Sequence, residues 1–337
     1  MTEATPPSRV RNVVANYLGI VSIIVVQIFL VPLYVARLGT ESYGIIGFFM
    51  ALQSVLQILD FGFGMTMNRE LARRSVLDVD PEQTRNLVTT LERVSWTIAA
   101  LLGLGIWLSA PVLSGYWLEA NTLSSSELET SVRLMGVAIA LQWPQSVYQG
   151  GLVGLQLQVK SSAITAGSSL IFAAGILALL TFSPSLTTFF LWRAFVYFCA
   201  VLLQRFTLLR NLKKTTHSPR VDWSTLRQVR NFSMGMTGIA ITGIALVQLD
   251  KLVVSRFVRL EEFGAYMVAS TAAALVPQLV SPIFTALLPS LSQAFAQRDP
   301  DAQRRSFSFE SRLISGLVHP AALTIVFFSE ELLTCWT

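Results

Sequence analysis

Apolar positions along the chain run in long blocks instead of alternating with polar ones. Nine blocks stand out, at about 13–36, 43–67, 94–115, 132–155, 162–182, 186–208, 232–255, 264–294 and 313–330. A helix needs roughly 20 apolar residues to cross about 30 Å of hydrocarbon at about 1.5 Å per residue. The pattern predicts an all-α integral membrane protein of about nine transmembrane helices. The first block follows Arg9 and Arg11 and outruns the roughly 7–15 residues of a secretory core, with no small-residue cleavage site behind it. It reads as a first span and not as a cleaved leader. Gly235, Gly238 and Gly243 make the seventh block weakly apolar, a composition suited to close packing or to lining a cavity. Pro277, Pro282 and Pro289 predict a kinked eighth span.

Basic residues between the blocks alternate. Arg9, Arg11, Arg69, Arg73, Arg74, Arg85, Arg93, Lys160, Arg205, Arg210, Lys213, Lys214, Arg220, Arg227, Arg230, Arg298, Arg304, Arg305 and Arg312 fall on one side. Only Arg37, Arg133, Arg256 and Arg259 fall on the other. Short loops rich in Lys and Arg stay cytoplasmic. The imbalance predicts a multi-pass protein of the bacterial inner membrane with its N-terminus inside. The basic loops set topology and touch anionic lipid. They are not interleaved with aromatics, so nucleic acid is not an expected partner.

Composition removes other classes. Charged residues make up 13% of the chain and hydrophobic ones 53%. A soluble domain carries about 25% charged residues, so too few are present to cover a water-facing surface. Two cysteines and two histidines, His217 and His319, have no metal or disulfide spacing. No G-x-x-x-x-G-K-[ST], H-E-x-x-H or G-x-S-x-G motif occurs, and neither a cofactor nor enzymatic chemistry is expected.

The chain repeats itself. Residues 11–37 (RNVVANYLGIVSIIVVQIFLVPLYVAR) align without a gap on residues 230–256 (RNFSMGMTGIAITGIALVQLDKLVVSR), with 8 of 27 positions identical. The shared Arg-Asn entry, Gly19/Gly238 and the closing Arg37/Arg256 carry more weight than matched leucines. After one extra loop residue, Tyr43-Gly44 matches Phe263-Gly264. Span 1 thus corresponds to span 7, and the unit is six helices. An even unit makes the copies parallel, related by an axis along the membrane normal. Residues 1–212 would form a first six-helix lobe, 213–229 a basic cytoplasmic linker and 230–337 half of a second lobe. Three further helices would be needed to complete that lobe, so a fragment, a truncation or completion by association is expected.

Several motifs carry a family resemblance. They are Leu38-Gly39-Thr40-Glu41-Ser42-Tyr43-Gly44, Leu59-Asp60-Phe61-Gly62-Phe63-Gly64, Asn68-Arg69-Glu70-Leu71-Ala72, Leu249-Asp250-Lys251-Leu252-Val253 and Glu262-Phe263-Gly264-Ala265-Tyr266. The chain resembles the O-antigen flippase branch of the multidrug, oligosaccharidyl-lipid and polysaccharide exporter superfamily. The resemblance implies a two-lobed exporter fold around a central cavity. It also implies a polyprenyl-diphosphate-linked oligosaccharide as substrate, moved between leaflets for cell-surface polysaccharide such as lipopolysaccharide O-antigen. A polysaccharide polymerase and glycosyltransferases would be partners.

Charge inside a membrane costs about 2.5–3.5 kcal/mol on insertion scales and is a functional candidate for that reason. Arg193 in span 6 and Asp250 and Lys251 in span 7 lie about 8–10 Å from the outer surface at 1.5 Å per residue. Three readings stay open. Arg193 and Lys251 face a cavity and bind phosphate oxygens or acidic sugars, with Asp250 tuning them. Alternatively, Asp250 pairs with one of the cations and locks the lobes, or Lys251 extends to the interface. Asp60 and Arg69, near the inner end of span 2, read first as ordinary helix-end charges that reach the interface, with pairing at the cytoplasmic mouth as the alternative. Asn16, Gln142, Gln145 and Gln149 offer amides to helices or sugar hydroxyls. The glutamines share one helix face, with Trp143 and Tyr148 close by. A cation-coupled drug exporter, which predicts an acidic cavity, and a non-transporting membrane scaffold are the competing classes.

Overall fold

The computed structural model describes residues 28–60, 62–76, 80–213, 215, 218–223, 238, 241–243, 246–296 and 300–337. Asn16, His217 and the Arg-Asn entries of both repeats lie outside the described residues. Every regular element among the described residues is helical. In chain order these are α1 (Ile28–Leu38), α2 (Thr40–Leu56), a tight turn at Gln57–Asp60, α3 (Phe63–Val76) and α4 (Pro81–Val112). A wide turn at Leu113–Trp117 leads to α5 (Ser125–Gln142), α6 (Gln145–Gly154), α7 (Gln158–Phe182) and α8 (Leu186–Asn211). The chain continues with α9 (246–257), α10 (Leu260–Ala296), α11 (Pro300–Phe327) and α12 (Ser329–Trp336).

Three stretches, Pro81–Trp117, α7 and α8, are long and apolar enough to cross a bilayer. They turn large apolar side chains outward, with Leu108 68%, Ile171 58% and Phe206 60% exposed. Water penalises such a surface and hydrocarbon does not. The chain is a helical membrane protein on both counts.

Local chemistry sets the helix starts. Asp80 accepts from Glu82 N at 2.9 Å, with Pro81 in the first turn of α4. Ser124 accepts from Glu127 N at 3.2 Å to open α5, and Ser185 accepts from Thr188 N at 3.1 Å to open α8. Each side chain satisfies a donor that the first turn leaves unpaired.

Two predicted spans are interrupted. The second breaks between α2 and α3, where Gly62 takes φ 65°, and the fourth breaks at Trp143-Pro144 between α5 and α6. The breaks face each other. A Cβ on Gly64 or Gly150 would run into the backbone of the other break, at Ser146 and Gly64 respectively. Only glycine admits so close a backbone approach. The apolar block at 313–330 is not one straight span either, because α11 and α12 meet at 84°. In contrast, α10 runs unbroken through Pro277, Pro282 and Pro289.

The buried apolar side chains form two cores stacked along the bundle. One joins α1, α2, the later part of α4, α5, α7, the first half of α8 and α10 around Tyr34, Phe49, Phe189, Phe190 and Phe263. The other joins α3, α6 and the arginine-rich ends of α4 and α8 around Met67, Leu87, Tyr148 and Leu208. The two breaks fall at the boundary between them.

The repeat relation surfaces at the crossing of α2 and α10. A Cβ on Gly44 would strike the carbonyl oxygen of Leu260, and one on Gly264 the carbonyl oxygen of Thr40. Adding 220 to 40 and 44 gives 260 and 264, so equivalent positions meet reciprocally. A Cβ on Gly47 would meet Met267, again 220 residues on. A clasp seals the same end: buried Glu41 accepts from Asn121 N at 2.6 Å, from Thr122 N at 2.9 Å and from the Thr122 hydroxyl. From the same loop, the Glu119 carbonyl accepts from Leu260 N at 2.9 Å. Arg37, Arg256 and Arg259 flank these junctions. The opposite end gathers the arginine-rich tail of α3, the start of α4 and the end of α8, where Arg85 donates to the carbonyls of Lys213 and Leu212.

Gly264→Val is expected to cost about 1–3 kcal/mol by overpacking, read as a lower unfolding temperature in detergent. Gly105, with open space around its Cβ position, is the control: Gly105→Ala should leave that temperature unchanged or raise it, since alanine favours the helix interior by about 1 kcal/mol. Equal behaviour of the two variants would refute the close crossing.

Candidate functional site

A cavity of about 510 Å³ opens between α1, α2, α7, α8, α9 and α10. Packing at the Gly44–Gly264 crossing brings α10 against α2 and so helps to enclose it. Arg193, Lys251, Gln142 and Gln145, four of the residues singled out from the sequence, line it together. The chain separation between them is large, and only the fold unites them.

Arg193 is the central group. Its guanidinium carbon lies 4.1 Å from the Phe172 ring centre and 5.1 Å from that of Tyr197. Its Nε is buried without a hydrogen-bond partner, and no carboxylate among the described residues forms an ion pair with it. The ring faces offset part of the cost of holding a cation there. A bound anion would supply the rest.

Lys251 is differently held. Its Nζ donates to the Val247 carbonyl at 2.6 Å and lies 3.6 Å from Asp250, with the lysine side chain 16% exposed and the aspartate 49%. Asp250 stands outside the cavity lining and also accepts from the Tyr266 hydroxyl at 2.5 Å. The pairing foreseen as a lock between lobes is therefore a contact between chain neighbours. It leaves Arg193 uncompensated.

Polar but neutral groups fill out the walls. Ser54, Thr165, Ser168, Ser169, Ser270 and Thr271 offer hydroxyls, and Gln248 and Gln278 offer amides. Gln53 donates to Gln142 and, at 3.3 Å, to the Tyr197 hydroxyl. Tyr43 and Thr271 hydroxyls meet at 3.2 Å across the crossing. Tyr34 stacks on Tyr43 and packs edge-on to Phe189 at 5.3 Å. Sequence reasoning missed the tyrosines at 34, 43 and 197. Their aromatic bodies with hydroxyl tips, inside otherwise aliphatic blocks, were the available signal.

Other expectations shift. The glutamine stripe is split by the Pro144 break, and Gln149 donates to Thr165 Oγ1 at 3.0 Å outside the cavity lining. Trp143 and Tyr148 are buried. Tyr148 belongs to the second core, where it donates to Glu92 at 2.7 Å and accepts from Trp96 Nε1 at 3.1 Å. Asp60 accepts from Ser146 Oγ at 2.7 Å and from Gly64 N at 3.5 Å, and these contacts hold it at the double break. No cluster of metal-ligating side chains occurs among the described residues. The arrangement suits reversible binding of a phosphorylated, hydroxyl-rich molecule.

Comparison with known proteins gives this arrangement a family. The succinoglycan biosynthesis transport protein ExoT of Rhizobium meliloti is 25% identical over 278 residues, which cover 82% of this chain and 51% of the relative. The chain spans about half the length of that curated relative. The family model described as polysaccharide biosynthesis protein matches residues 10–295, most of the chain, and the chain belongs to that family.

Proposed function

We propose that the chain carries the substrate cavity of a flippase. The flippase moves a polyprenyl-diphosphate-linked oligosaccharide across the bacterial inner membrane for O-antigen or exopolysaccharide synthesis. The observation that carries this reading is the convergence of Arg193 and Lys251 on one cavity, with no carboxylate paired to Arg193 among the described residues. A planar guanidinium matches diphosphate oxygens in pairs, and the surrounding hydroxyls and amides match sugar. The relative's name, a transport protein of succinoglycan biosynthesis, supports an exopolysaccharide cargo. A cation-coupled drug exporter would need acidic walls, and among the described residues no carboxylate lines this cavity.

The N-terminus lies in the cytoplasm on this reading, with the arginine-rich helix ends beside it. Two lobes related through the Gly44–Gly264 crossing rock to expose the cavity alternately to each leaflet. Residues 1–212 form the first lobe, 213–229 the linker, and 230–337 belong to the second. A polysaccharide polymerase and glycosyltransferases are the partners that would consume and supply the cargo.

Arg193→Ala or Lys251→Ala, placed in cells whose polymer export depends on this protein, should abolish export while protein abundance stays normal. Normal export in both strains would sink the cavity assignment. A second measurement separates function from structure. Arg193→Met should unfold in detergent at the same or a higher temperature, because about 2.5–3.5 kcal/mol of insertion cost outweighs about 2 kcal/mol of ring contacts. A fall of several degrees would instead make Arg193 a packing residue.

A further inference from the structure

A second concavity lies on the outside of the bundle and shares no lining residue with the first. Here α4 and the arginine-rich end of α8 border an open groove of about 860 Å³. Arg85, Arg93 and Arg205 stand at one end with Glu92, and Leu101 and Leu104 continue it toward the apolar belt. Three cations against one carboxylate leave two positive charges.

We infer that this groove holds an anionic phospholipid, its phosphate on Arg93 and Arg85 and an acyl chain along Ala100, Leu101 and Leu104. Glu92 does not repel that phosphate strongly, because the Arg205 guanidinium is paired with it and both Arg205 and the Tyr148 hydroxyl donate to its Oε1. Arg93 is exposed and forms no ion pair among the described residues. Arg85 donates through Nε and one Nη to backbone carbonyls at 2.8 and 3.4 Å, which orients its remaining N–H groups without cancelling its charge. The order along α4 is that of a lipid seen from the headgroup inward: cations, then Trp96, then leucines that are 64% and 55% exposed. Tryptophan favours that intermediate level. Arg93 and Leu101 are separated by about 12 Å of helix rise, which places the leucines at acyl depth. Basic pockets between transmembrane helices select anionic headgroups in this way. The inference needs the membrane location only, and not the transport reading.

Trp96 provides the reporter. The chain is placed in phosphatidylcholine nanodiscs with rising amounts of brominated phosphatidylglycerol, whose bromines quench nearby tryptophan. The difference in emission between wild type and Trp96→Phe isolates the groove. Brominated phosphatidylglycerol should quench it at about a fivefold lower mole fraction than brominated phosphatidylcholine, and Arg93→Gln should erase about fivefold of that preference. Equal quenching by the two lipids, or an unchanged preference in both Arg93→Gln and Arg85→Gln, overturns the site. Relief of quenching by millimolar inorganic phosphate overturns it in favour of a soluble anion. If Trp96→Phe does not fold, native mass spectrometry of phosphatidylglycerol retained by wild type and Arg93→Gln decides, and equal retention rejects the groove.

Discussion

Backbone against backbone, at the crossing of α2 and α10, is the contact from which the remaining architecture follows. Gly44 and Gly264 each rest on a carbonyl of the other helix, at positions exactly one repeat apart in the aligned sequence. No side chain could be inserted there without driving the helices apart. The crossing sets how near α9 and α10 come to α1, α2 and α8, and hence the width of the space between them. Lys251, Ser270, Thr271 and Gln278 reach the cavity from one side of it, and Tyr34, Arg193 and Tyr197 from the other.

Within that space the chief electrostatic fact is a cation solvated by rings. Phe172 and Tyr197 present π faces to Arg193, while the nearest ionised pair, Asp250 with Lys251, is occupied by itself and by Tyr266. Ring faces attract a guanidinium without neutralising it. A carboxylate in the same position would have stabilised the empty protein and blunted its attraction for an anionic ligand.

Much of this was legible before any coordinates. Long apolar blocks gave the helical membrane class, because a bilayer leaves few other backbone solutions. Intramembrane charge picked out Arg193 and Lys251, since burying them is too costly to be incidental. The weak match of Tyr43-Gly44 to Phe263-Gly264 named the residues of the crossing, though not that they touch. Other features were not readable, for reasons of scale. Whether a Pro or Gly breaks a helix depends on what neighbours can satisfy the freed backbone groups. Pro144 and Gly62 interrupt theirs because the two breaks receive each other, while Pro277, Pro282 and Pro289 leave α10 continuous. Gln149 shares α6 with Gln145, yet its amide is held by the Thr165 hydroxyl and does not join the cavity lining. Tyr148 looked like a sugar platform by type, yet its hydroxyl is committed to Glu92 and Trp96.

The two stacked cores have a mechanical consequence. Spans built from α2 with α3 and from α5 with α6 pass from one core to the other, and both are jointed at the boundary. Among the described residues α4, α7 and α8 cross it as unbroken rods. A rod of helix resists bending through every hydrogen bond along its length, whereas a joint bends by a few backbone torsions. Any bending at the boundary therefore falls on the jointed helices, and the hydrogen bond from Ser146 to Asp60 ties the two joints together there.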